Sequence, residues 1–148
     1  MTTQDKHILV AVDFSKGSDR AVAQAELLAS ALGAQIELFH AYQLPVLALP
    51  DSSVTVSPTY VADLTDRAQH ELNRHRDLLA SHGVKATTKL LEGNPADTIV
   101  ERGQALNALM IVLGTHGRSG FRRFLLGSTA ERVVRMATIP VLTVHLPE

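Results

Sequence analysis

No cysteine occurs among the 148 residues, which excludes disulfides, thiolate catalysis, and zinc or iron–sulfur sites built on sulfur. Tryptophan is absent too, and four Phe with two Tyr are too few for an aromatic platform that stacks single-stranded bases. Neither sign of charge dominates: the formal net charge is −1, so no basic field draws the chain to nucleic acid or anionic lipid. No apolar run approaches the ~18 residues that cross a bilayer. The opening MTTQDKHILVAVD has neither a signal-peptide core nor a cleavage site. These absences predict a cytoplasmic protein with no membrane span and no nucleic-acid partner. What is present, 45% hydrophobic and 20% charged residues, is the profile of a globular chain, and the length suits a single domain over 1–148.

Apolar runs alternate with helical patterns from end to end. His7 to Asp13 reads as a short buried strand. Ser18 then reads as an N-cap, and Ala21, Val22, Ala25, Leu28, Ala29 and Leu32 recur at helical spacing up to Gly33, a C-terminal stop. Gln35 to Tyr42 is a second strand. Gln43 to Ser57, with Pro45, Pro50 and a polar Asp51-Ser52-Ser53, has no helical period and reads as a long surface loop. Thr59 to His82 is the longest helix, closed by Gly83, and Lys85 to Leu91 is a third strand. Gly93-Asn94-Pro95 turns into a helix from Ala96 to Leu106. Leu109 to Leu113 is a continuous apolar strand, as a strand covered on both faces should be. Thr129 to Ala137 is a last helix, and after Pro140 a fifth strand runs from Val141 to His145.

Strands separated by helices imply βαβ units, hence an α/β protein with an open five-stranded parallel sheet and helices on both faces. Right-handed crossovers leave few arrangements. In the order 3-2-1-4-5, the direction of winding reverses between the first and fourth strands, and a crevice opens there at the C-terminal strand ends. Asp13 ends the first strand and Gly114 ends the fourth, so the two would face each other across it.

Four of the nine glycines, Gly114, Gly117, Gly120 and Gly127, fall within one short stretch, IVLGTHGRSGFRRFLLGST. It is not a Walker A loop, because Gly127-Ser128 lacks the lysine. Nor is it a dinucleotide fingerprint, which belongs after the first strand, where Phe14-Ser15-Lys16-Gly17 stands. The nucleophile elbow fails as well, because Gly120 follows Ser119 one residue too early. The remaining physics points to an anion. Gly114 and Gly117 are expected to take φ > 0 and let the backbone approach a ligand. Gly127-Ser128-Thr129 opens a helix, whose free N–H groups and positive dipole end attract phosphate. Arg118, Arg122 and Arg123 raise the local positive potential and suit either a phosphate or a solvated surface.

Gly114-x-x-Gly117, nine residues, then Gly127-Ser128 resembles the G-2x-G-9x-G-S/T motif of the nucleotide-binding universal stress proteins. The opening ILVAVDFSKGSDRAVAQA and the closing IPVLTVH resemble the same family, and the likeness covers essentially the whole chain. It implies a Rossmann-like sandwich that binds ATP, with Mg²⁺ held through the phosphates. By that resemblance Asp13 lies against adenine and ribose, and Ala41 lines the adenine. Leu113 and Gly114 contact ribose, while Gly117, Gly127, Ser128 and Thr129 hold phosphates. It also implies a homodimer through the last strand, Val141 to Val144, whose edge carries no charge. The expected role is regulation of a protein partner under stress through adenine nucleotide. Apart from Asp13 and His116, no group is placed to orient or deprotonate a water, so the chain is not expected to be an enzyme beyond slow ATP hydrolysis. The rival readings are a dimeric interaction module of the non-nucleotide type and a slow ATPase. Asp13 as a turn cap, and His116 or Lys16 facing water, remain the bland alternatives. His70, His75 and His82 lack the i, i+4 spacing of a metal pair.

Overall fold

The computed structural model describes residues 4–45, 48–49, 52–53, 56–116 and 126–147. Five strands form the main sheet: β1 (His7–Ala11), β2 (Gln35–Tyr42), β5 (Ala86–Glu92), β6 (Met110–Gly114) and β7 (Val141–Val144). All neighbours are parallel, in the order β5-β2-β1-β6-β7, which is the expected 3-2-1-4-5 among the long strands. Within the segment expected to be all loop, a two-residue antiparallel ribbon pairs β3 (Ala48–Leu49) with β4 (Ser52–Ser53).

Four helices link the strands: α1 (Lys16–Leu32), α2 (Pro58–Ser81), α3 (Pro95–Ala105) and α4 (Ser128–Met136). The central strand β1 shows why both faces must be covered. Its alternate residues Ile8 and Val10 pack with α1 and α2 through Ala21, Ala25 and Leu72, and Leu9 packs on the other side with Ile99, Ile111 and Val133. Ile8, Leu9 and Val10 are fully buried. A strand buried on both faces reads as an unbroken apolar run, which is how HILVA and MIVLG appear.

One charge sits inside this apolar scheme. Glu37 on β2 is 5% exposed and is held bidentately by Arg102 of α3, at 2.6 Å from Nε and 2.7 Å from Nη2. That hydrogen-bonded carboxylate, together with its charge, holds the Arg102 guanidinium above its ordinary range, against the opposing effect of burial. The pair ties α3 to the middle of the sheet.

The first helix starts differently from the expectation. Its N-cap is Ser15, whose side chain accepts from the Ser18 N–H, so Ser18 lies inside the first turn. The reason is Phe14, which takes φ +64° and turns the chain sharply out of β1. A left-handed non-glycine residue is costly and is held only where its surroundings demand it.

A cleft at the reversal point

The chain ends of β1, β2 and β6 and the starts of α1, α3 and α4 surround a cleft of about 750 Å³, within the ordinary size range for a small-molecule site. Asp13, Ala41, Leu113, Gly114, Gly127, Ser128 and Thr129 all line it. Seven of the eight residues singled out from the sequence therefore converge. The eighth, Gly117, lies outside the described residues, as do Arg118, Arg122 and Arg123.

On the β1 side, the Asp13 carboxylate receives the Ser15 N–H at 2.9 Å and the Ser15 hydroxyl. Both bonds use Oδ1. Asp13 thus does brace the turn, the bland role, and lines the cleft as well. Next to it, the Phe14 ring lies 4.7 Å from the His40 ring, tilted by 42°. His40 Nδ1 donates to the Val12 carbonyl at 2.7 Å, locking the ends of β1 and β2 together. His40 also lines the cleft.

On the β6 side, Gly114 answers to a different requirement from the one expected. Among the described glycines only Gly33, Gly83 and Gly93 have positive φ, so Gly114 needs no left-handed backbone. Its requirement is space. A Cβ there would stand 2.8 Å from the Gly17 carbonyl carbon, and one on Gly17 would stand 2.8 Å from the His116 carbonyl oxygen. Two glycines let the first turn of α1 sit directly on the end of β6. Gly17 carried a sequence signal, small and four residues beyond Asp13, but nothing in the chain's order links it to Gly114.

Beyond β6, Thr115 is buried at 1% exposure, and its hydroxyl lies 3.1 Å from His116 Nδ1. His116 lines the cleft, whereas Lys16 is exposed and stands outside the wall. The Thr115 carbonyl also receives the Gly127 N–H, which fastens the start of α4 to the strand end.

The helix starts are unequal. At α1 and α3 a side chain closes the first turn, Ser15 accepting from Ser18 and Asn94 from Asp97 at 3.2 Å. At α4 the N-cap is Gly127, with no side chain to supply an acceptor. The first N–H groups of any helix lack partners within it. At α4 they lie beside the Ser128 and Thr129 hydroxyls, on the wall of the cleft. An acceptor from outside, above all an anion, suits that end. For a cation the described residues offer little: no group of three or more His, Asp or Glu is arranged to hold a metal ion.

An open parallel sheet with a cleft at the reversal of strand order defines the doubly wound α/β class, in which ligands bind beyond the C-terminal strand ends. The chain belongs to the universal stress protein family, whose model matches residues 5–145. It is 34% identical to a universal stress protein of Methanocaldococcus jannaschii, over 97% of this chain and 84% of that one. A Thermus aquaticus universal stress protein is 33% identical, over 95% and 98% of the two chains. Universal stress protein UspA from Lactobacillus plantarum shares the fold with a TM-score of 0.74 at 23% identity, over 95% and 98%. Two solved relatives carry ligands. The Archaeoglobus fulgidus protein in complex with dAMP is 25% identical with a TM-score of 0.69, over 95% and 98%. A universal stress protein in complex with cAMP is 26% identical with a TM-score of 0.67, over 97% and 98%.

Proposed function

We propose that this chain binds adenine nucleotide in the β1/β6 cleft, ATP with Mg²⁺ carried on its phosphates, and acts as a regulatory module toward a protein partner. The observation that carries the reading is the pairing of a glycine-capped α4 with the cleft residues Asp13, Ala41, Leu113 and Gly114. The dAMP and cAMP complexes of the two relatives support it. The residues fit the group. The open N-terminus of α4 and the Ser128 and Thr129 hydroxyls would meet phosphate oxygens, and Asp13 would meet the ribose side. Asp13 is the single carboxylate among the described lining residues, so a divalent cation would ride on the nucleotide and not on a protein cage.

Calorimetric titration with MgATP should show one site per chain, and Ser128→Ala should weaken it by about 1–3 kcal/mol as a hydrogen bond to a charged oxygen is lost. No heat at millimolar nucleotide would end the proposal. Hydrolysis is proposed to be slow, because the groups among the described lining residues that could activate a water, Asp13, His40 and His116, are each already hydrogen-bonded within the cleft wall. Purified protein should release phosphate without a burst; turnover near the ~10 s⁻¹ median of enzymes would mean that the cleft is catalytic. We further propose that two copies associate through β7.

A further inference from the structure

Seven arginines fall among the described residues, and five of them pair with carboxylates: Arg74, Arg76, Arg102, Arg132 and Arg135. Arg67 is not one of the five. It is exposed on α2, has no ion pair or hydrogen bond among the described residues, and lines the cleft with Leu64 and Ala68 of the same helix. Those three positions share one face, at i, i+3 and i+4 relative to Leu64. The carboxylate on the same wall, Asp13, spends Oδ1 on Ser15 and forms no ion pair with Arg67.

The place of Arg67 matters as much as its charge. α2 belongs to the layer of α1, where Leu72 and Leu79 pack against Ile36 and Leu38 of β2. α4 belongs to the opposite layer, and its start is fastened just past β6. β2 and β6 flank β1 on either side, two strand spacings apart, or about 10 Å. Arg67 and the open helix end therefore line one cleft from opposite layers of the sheet. No carboxylate among the described residues pairs with Arg67, so a second anionic group on the ligand would find an unpaired cation there.

We propose that Arg67 is a specificity-determining residue that selects nucleotides bearing a second phosphate on the ribose, apart from the 5′ chain. The inference rests on the nucleotide reading of the cleft. The 5′-phosphate occupies the α4 end, and the second phosphate on the far side of the sugar accepts a forked pair of N–H bonds from Arg67. Arginine suits that geometry better than lysine, which offers a point charge.

The test is calorimetric titration of the full chain and of the Arg67→Gln and Arg67→Lys variants. The probes are 5′-AMP, adenosine 3′,5′-bisphosphate and adenosine 2′,5′-bisphosphate. The wild type should bind one bisphosphate at least about tenfold more tightly than 5′-AMP, the span of one charged hydrogen-bonded contact. In Arg67→Gln that ratio should fall to about twofold or less while 5′-AMP affinity holds, and Arg67→Lys should keep part of it. A wild type with no preference, or a preference that survives in Arg67→Gln, overturns the assignment. Failure of all three probes and of ATP to bind would instead remove the nucleotide reading beneath it.

Discussion

Gly114 and Gly17 meet backbone to backbone, and this contact sets how closely α1 approaches the cleft wall. A side chain at Gly114 meets main-chain atoms, which cannot swing aside as the tip of a long side chain can. Gly114→Ala should therefore destabilise the fold by about 1–3 kcal/mol, the range for overpacking a tight interior. A urea midpoint equal to wild type would show that the helix slides away without cost. The sequence singled out Gly114 for approach to a ligand; what the structure shows is its close packing against Gly17. A motif records spacing along the chain, whereas the neighbour that forbids a Cβ comes from another segment. The same blindness hid Arg67, a solvent-facing charge in a regular helix until α2 is laid beside the cleft.

Where elements begin depended on one torsion that spacing does not reveal. The apolar period of α1 was legible from Ala21 to Leu32, but its start was displaced because Phe14 adopts positive φ and hands the cap to Ser15. The helix pair α1 and α2 also carries a pH response. His75 of α2 is buried, and its Nε2 lies 3.5 Å from Asp19 of α1. Burial, aided by Arg74, lowers its pKa below the usual 6.5, against the opposing pull of Asp19 and Glu71. The unfolded chain thus binds this proton more readily than the folded one. Stability from this group is complete above about pH 6.5 and declines as acid is added toward the lowered folded value. Urea midpoints measured from about pH 8 to about pH 5 should fall more steeply for wild type than for His75→Gln. Parallel slopes would show that the imidazole stays neutral or protonated alike in both states.

Alternating strands and helices with right-handed crossovers made a parallel, doubly wound sheet legible, and the resemblance to the stress proteins supplied the order 3-2-1-4-5 among the arrangements that those rules leave. The same order leaves β7 at an edge, bonded to β6 on one side. Val141 to Val144 carries no charge, and Leu142 is 36% exposed. Such an edge invites pairing with a second copy about a two-fold axis, which closes the assembly. Light scattering should report about twice the 16.0 kDa of the chain. Thr143→Pro, which removes a ladder donor in mid-strand, should shift the protein toward monomer or aggregate. A wild-type monomer at tens of micromolar would refute pairing through β7.

The central place of β1 also governs how this protein comes into being on the ribosome. Ile8 pairs with Ile36 on one side, and on the other with Met110, which is translated far later. Synthesis at ~5–20 residues per second leaves that second edge open for several seconds while β2, α2, β5 and α3 emerge. During that interval the nascent half-sheet shows unpaired main-chain groups, the hazard that chaperones shield. Arrival of β6 closes the gap, and the same event builds the second wall of the cleft. A ligand that needs both walls can therefore hold only chains that have passed this point, and its binding would favour the finished molecule over every shorter intermediate.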